Sequence, residues 1–121
     1  YALDWLTYAP VWRDHYFATD QTPGYRYLKK CLQVLNFLTG TKRWLLKCPQ
    51  HMEQLPVLSR VFPDATIIIN HRDPVASIQS AMTGVAYSSR ITRTCVRTDR
   101  IADYWIDRYE RLRNGRDKCK R

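Results

Sequence analysis

Apolar residues fall along this chain in two different patterns. Over residues 22–40, 55–62 and 101–112 they recur every three or four positions, the period of a helix packed along one stripe. Two short runs break that period: Trp44-Leu45-Leu46, closed by Lys47, and Ile67-Ile68-Ile69, closed by Asn70-His71-Arg72. Each is bulky, compact and ended by a proline-containing turn, the pattern of a strand buried on both faces of a parallel sheet. With Leu55, Leu58, Val61 and Phe62 at helical spacing between them, the runs read as a βαβ unit. The predicted strands, 43–47 and 65–71, are parallel, and the right-handed crossover sets Lys47 and Arg72 at the same sheet edge. Open α/β sheets bind their ligands at that edge.

The remaining elements are helical. Thr22-Pro23 opens a helix whose stripe of Leu28, Cys31, Leu32, Leu35 and Leu38 is predicted to face the core, with Gly40 as its stop. Trp5, Leu6, Trp12 and Tyr16 suggest a helix broken near Pro10, on which Asp14-His15 reads either as a catalytic pair or as a solvated face. Downstream, Ile101, Tyr104, Trp105, Arg108, Tyr109 and Leu112 keep helical spacing until Asn114-Gly115, with the aromatics read as packing rather than as nucleic-acid stacking. Residues 84–98 follow neither period. Their serines, threonine and arginines read as an exposed connection, either a lid over a ligand or a plain solvated loop. The expected organisation is a single partial domain: a helical segment over 1–40, a βαβα core over 43–83, the loop over 84–98 and a helix over 99–114.

The second strand exit carries the sharper chemistry. Asp73-Pro74 supplies an N-cap and a proline at the first helical position, and Val75, Ile78 and Met82 give the helix its predicted buried stripe. Ser77 and Ser80 lie three apart and therefore share a face. A guanidinium, hydroxyls and the free amides of a helix start together suit a phosphate. The alternative is that Arg72 pairs with Asp73 and the serines only solvate the helix.

Three ordered segments bear a wider likeness: Trp44-Leu45-Leu46-Lys47-Cys48-Pro49-Gln50-His51, then Leu55-Pro56 with Phe62-Pro63-Asp64-Ala65, then His71-Arg72-Asp73-Pro74-Val75-Ala76. Together they resemble the bacterial-type branch of the sulfotransferases that use 3′-phosphoadenosine-5′-phosphosulfate (PAPS), over roughly the middle third of the chain. The resemblance implies a three-layer, P-loop-like parallel sheet flanked by helices, incomplete in this chain. It also implies that Arg72 and Ser80 bind the 3′-phosphate of PAPS, which selects Ser80 over the neighbouring Ser77. Members of that family carry, near their N-terminus, a strand-loop-helix segment that holds the 5′-phosphosulfate. None of Gly24, Gly40, Gly84 and Gly115 sits in such a loop, and the chain opens on Tyr1. An internal piece of a larger enzyme, inactive by itself, is the expectation, with a complete small protein as the alternative.

Sulfuryl transfer needs cations at the transferring group and a base for the acceptor proton. Lys47 ends the first run, and the resemblance implies that a lysine in this Lys-x-Pro context faces the cleft. His51, four residues on, is the candidate base, since an imidazole titrates near neutrality; a histidine bonded to a backbone carbonyl is the alternative. His71 points away from Arg72 if strand alternation persists, and so packs or orients a neighbour. The chemistry requires no metal, because fixed cations can neutralise a phosphosulfate. The expected acceptor is a small molecule, a glycan or a lipid.

Charge and cysteines narrow the picture without choosing it. Twenty Lys and Arg against eleven Asp and Glu give +9, which suits any polyanion and keeps a non-catalytic basic nucleotide- or nucleic-acid-binding module as the alternative function. The expected partners are PAPS and the acceptor, with no nucleic acid. A P-loop kinase is disfavoured by the lack of a Gly-x-x-x-x-Gly-Lys-Ser/Thr pattern. Cys31, Cys48, Cys95 and Cys119 show no Cys-x-x-Cys spacing, and His15, His51 and His71 are scattered, so neither a zinc site nor a disulfide framework is expected. No run is long enough to span a bilayer, and a reducing, cytoplasmic setting is expected.

Overall fold

The computed structural model of the protein describes residues 7–40 and 43–119. Among these residues five α-helices follow in order: α1 (Pro10–Ala18), α2 (Thr22–Thr39), α3 (Leu55–Val61), α4 (Pro74–Thr92) and α5 (Thr98–Cys119). A 3-10 segment, Pro49–Glu53, precedes α3. They form two compact units, one of residues 1–19 and 68–114, the other of residues 20–67 and 115–121.

In the first unit, α5 supplies the core. Ile101, Tyr104 and Trp105 pack with Val85 of α4, and the half-buried Tyr8, Met82, Val96 and Tyr109 close around them. Trp105 and Arg108 are both 0% exposed. The Arg108 guanidinium lies over the Trp105 ring at 5.3 Å and its Nη1 donates to the Tyr104 hydroxyl at 3.2 Å, so the buried charge meets an aromatic face and an acceptor. Arg13 ties α1 to this core: it lies over the Tyr104 ring at 4.7 Å, donates to Asp107 at 2.9 Å and holds Asp14 at 2.9 Å. Asp14 and His15 are exposed, which makes the Asp14-His15 pair a solvated face. Pro10 starts α1 rather than breaking it, since the missing proline N–H costs nothing in a first turn; Trp5 and Leu6 lie outside the described residues.

In the second unit, α2 and α3 pack against each other. Gly40 ends α2 in the left-handed region at φ 66°, its N–H donating to Asn36 O at 2.9 Å. At the start of α2, Asp20 accepts from both the N–H and the hydroxyl of Thr22, at 2.9 and 2.6 Å, which holds the Asp20 carboxyl below its usual range. Lys29 crosses from α2 to donate to Val61 O at 3.0 Å, one of the carbonyls the end of α3 leaves open. The predicted stripe of α2 holds only in part: Leu28, Cys31 and Leu32 are half-buried, whereas Leu35 and Leu38 are exposed.

The parallel sheet is absent among the described residues, and the α/β fold class is corrected to all-helical. Residues 43–47 and 65–71, expected as strands, are neither strand nor helix, with Leu45 93% and Ile68 79% exposed. The shared sheet edge for Lys47 and Arg72 goes with the sheet. The physical reason is that a strand exists only in a ladder, where its N–H and C=O groups meet another backbone. A short apolar run reports a drive toward burial and encodes no partner row. The two runs find none, and the second straddles the boundary between the units. Helix α4 continues through residues 84–92, the first part of the stretch expected as loop. Its inward positions Ala81, Val85 and Ser89, four apart and mostly small, pack inward without giving a visible apolar stripe. Val75, expected inside, is exposed.

Candidate functional site

The start of α4 is built as the residues dictate. Asp73 caps the helix, its Oδ1 accepting from Val75 N–H at 3.1 Å, and Pro74 follows in the first turn. That commitment decides how Asp73 is used: it is not ion-paired with Arg72, whose exposed guanidinium has no salt bridge among the described residues. Arg72, Ser77 and Ser80 line one cleft of about 310 Å³ with Gly84 of α4 and Trp105 and Tyr109 of α5. That volume lies at the low end for small-molecule sites.

The two serines differ within it. Ser77 is half-buried and its hydroxyl donates to Asp73 O at 2.9 Å, closing the first turn; Ser80 is exposed, one turn along the same face. Ser80 is thus the hydroxyl more open to a ligand. Across the cleft, Tyr109 donates to Ser77 O at 3.3 Å and so ties α5 to α4 behind the serines. Burial pushes the Tyr109 phenol up, while the neighbouring Arg72 charge acts in the opposite sense. Gly84 leaves the wall low: a Cβ there would meet nothing within 4 Å. An exposed cation, a hydroxyl and the half-buried Tyr109 ring around one opening can hold a planar ring with an attached anion.

Lys47 and His51 belong to the other unit. Lys47 is exposed, without a salt bridge among the described residues. His51 sits in the 3-10 segment, and its Nδ1 is 3.0 Å from the hydroxyl of Tyr25 on α2 rather than at a backbone carbonyl. Desolvation holds the His51 imidazole below its ordinary range and pushes the Tyr25 phenol up to about 12, so both are neutral at pH 7. Two tautomers satisfy the bond: the hydroxyl donates to Nδ1 and leaves Nε2 protonated, or it accepts from Nδ1–H and leaves the Nε2 lone pair open. Only the second serves a general base.

A pH dependence follows with a definite sign. Above the ordinary imidazole range His51 is neutral in folded and unfolded chains alike; as pH falls through that range the unfolded chain takes up the proton first, and stability drops. Urea denaturation followed by far-ultraviolet circular dichroism should therefore give a lower midpoint at pH 5 than at pH 7. Part of that drop should vanish in His51→Gln, and an identical drop in both proteins would remove His51 as its source.

Tyr25, Trp105 and Tyr109 are the residues that sequence reasoning did not assign to a site. Trp105 and Tyr109 stand out as an i, i+4 aromatic pair, a spacing that signals packing and says nothing of the cleft at its edge. The Tyr25–His51 contact spans 26 residues and has no local signal. No cluster of His, Cys, Asp and Glu able to hold a metal occurs among the described residues, and no described helix is long and apolar enough to cross a membrane.

No curated protein and no solved structure matches this chain. The model of the sulfotransferase family does, over residues 4–121, a span that takes in the Arg72 cleft, the Tyr25–His51 pair and both apolar runs. The chain belongs to the sulfotransferase family.

Proposed function

We propose that the Arg72 cleft binds PAPS and that the protein moves its sulfuryl group to an acceptor oxygen or nitrogen. The observation that supports this most directly is the exposed Arg72 guanidinium, free of any salt bridge among the described residues, lining an open cleft in a sulfotransferase-family chain. The residues fit such a ligand: one cation and the Ser80 hydroxyl for the 3′-phosphate, Ser77 beside them, and the half-buried Tyr109 ring, backed by the buried Trp105, as an apolar wall for a planar base. When bound, PAPS supplies an activated sulfuryl group. Lys47 is the cation for the negative charge at that group, and His51, in its Nδ1–H tautomer, is the base for the acceptor proton. The acceptor is a small molecule, a glycan or a lipid. A reducing, cytoplasmic setting is supported by the free thiols of Cys31, Cys48 and Cys95.

The test is Arg72→Ala, titrated with 3′,5′-bisphosphoadenosine and with 5′-AMP. Loss of a charge-assisted and potentially bidentate contact should weaken the bisphosphate roughly tenfold to hundredfold and leave 5′-AMP nearly unchanged. Ser80→Ala should act the same way but less, because a neutral hydroxyl makes the weaker bond. Equal losses for the two nucleotides would mean that Arg72 supports the fold instead of reading the 3′-phosphate.

A further inference from the structure

A second pocket opens on the first unit, where the end of α4 meets the start of α5. It encloses about 60 Å³, and Arg93, Arg97 and Arg100 line it with Tyr8, Ser89 and Cys95. Its described lining carries three guanidiniums and no carboxylate, and the neighbouring Asp99 is already committed. It accepts two bonds from Arg97, at 3.1 and 2.7 Å, and the pairing holds it down to about 2. Arg93 is positioned by its own contacts, with Nη2 donating to Tyr8 O at 3.0 Å and the guanidinium over the Tyr8 ring at 5.8 Å. Arg100 is exposed and has no salt bridge among the described residues. The cluster thus keeps a surplus of positive charge around a small opening, at the amide-donor end of a long helix.

The size of the opening selects the ligand. A cavity of about 60 Å³ admits a few water molecules or one tetrahedral anion, and excludes a sugar or a base. Ser80 and Ser89 are nine residues apart on α4, which sets the two pockets on the order of 13 Å from each other along the helix. The buried Val85, Ile101 and Trp105 fill the space between, so one phosphate cannot serve both.

We propose that this pocket is a second oxyanion site, taking a sulfate or phosphate group either as the free ion or as a monoester. Arg100 supplies the uncommitted charge, Arg93 a pre-positioned one, and Arg97 a guanidinium whose direction Asp99 fixes. The site does not depend on the nucleotide reading of the Arg72 cleft, and its test removes that cleft from consideration.

Cys95 is an exposed thiol in the pocket wall and serves as the reporter. Its alkylation by the neutral reagent iodoacetamide is followed by mass spectrometry at that residue, in the Arg72→Ala chain, at ionic strength held constant with chloride. Inorganic sulfate or inorganic phosphate should slow the reaction in a saturable manner, and Arg100→Gln should raise the half-protecting concentration by about tenfold. The exposed Arg100 can be replaced without disturbing the core, and circular dichroism of the variant checks this. Methyl sulfate separates the sources: equal protection assigns the site to a monoester, and protection by the inorganic ions alone assigns it to the free anion. Absence of saturable protection relative to chloride, or unchanged protection in Arg100→Gln, overturns the proposal.

Discussion

Replacing Trp105 by alanine should abolish the cooperative folding of the unit built from α1, α4 and α5. The indole is 0% exposed and packs edge-on to Tyr104, at 5.9 Å between centroids, and against Tyr109 at 6.1 Å. Truncating a buried Trp to Ala costs about 3–5 kcal/mol from lost transfer energy and the cavity left behind. A second loss adds to it, because Arg108 has its guanidinium over that ring and is itself 0% exposed. Removing the ring leaves a buried cation with a poorer environment, and removal of a partner from a buried charge is expensive. A total of that size consumes most of the stability of a small domain. Urea denaturation followed by far-ultraviolet circular dichroism should show a midpoint near zero denaturant for Trp105→Ala and a modest shift for Trp105→Phe, which keeps a ring in place. A Trp105→Ala midpoint close to the wild type would show that the α4–α5 core is not what holds this unit.

The same helix shows what a sequence can disclose. Ile101, Tyr104, Trp105, Arg108 and Leu112 repeat at three and four residues, and all five are buried in the structure. Even Arg108 follows the period, because position on a helix is fixed by 3.6 residues per turn whatever the side chain. Caps and stops are local as well: Asp73 bonds Val75 N–H two residues on, and Gly40 takes the positive φ that only a residue without a Cβ adopts cheaply. Pairing is not local. Trp44-Leu45-Leu46 and Ile67-Ile68-Ile69 have the composition of buried strands, yet no ladder forms among the described residues, since nothing inside a run of three names the backbone it should meet. The α2 stripe fails for a related reason. Its spacing defines a face as far as Leu38, but the end of that face is left uncovered.

The candidate site divides along the same line. Arg72, Ser77 and Ser80 lie within nine residues, so a cap and one helical turn suffice to bring them to one cleft. The aromatic wall opposite comes from α5, across some thirty residues, and only packing reveals it. His51 was legible as a titratable residue beside a proline turn, but its partner Tyr25 was not, and that partner decides which ring nitrogen carries the proton. The exposed arginines at the α4–α5 junction look in sequence like a solvated loop. Their convergence on a small pocket depends on α4 continuing to Thr92 and α5 beginning at Thr98.

Lys47→Ala should separate chemistry from nucleotide binding. The residue is exposed and unpaired by any salt bridge among the described residues, so its loss should leave the fold intact; the unchanged denaturation midpoint is the control. If the ammonium meets charge that builds on the sulfuryl group and its bridging oxygen in the transition state, it acts mostly there and little in the ground state. Removing a cation that acts on the transition state slows turnover by about a hundredfold to a thousandfold. Affinity for 3′,5′-bisphosphoadenosine, which lacks the sulfuryl group, should hardly move. Single-turnover sulfuryl transfer measured beside bisphosphate titration distinguishes the outcomes, because Arg72→Ala should show the reverse order, with weakened nucleotide and a smaller effect on the bound-state rate. Lys47→Arg should recover part of the rate, since it keeps the charge but places it on a planar group of different reach. Undiminished single-turnover transfer in Lys47→Ala would remove the lysine from the chemistry, and a parallel fall in bisphosphate affinity would make it a binding residue.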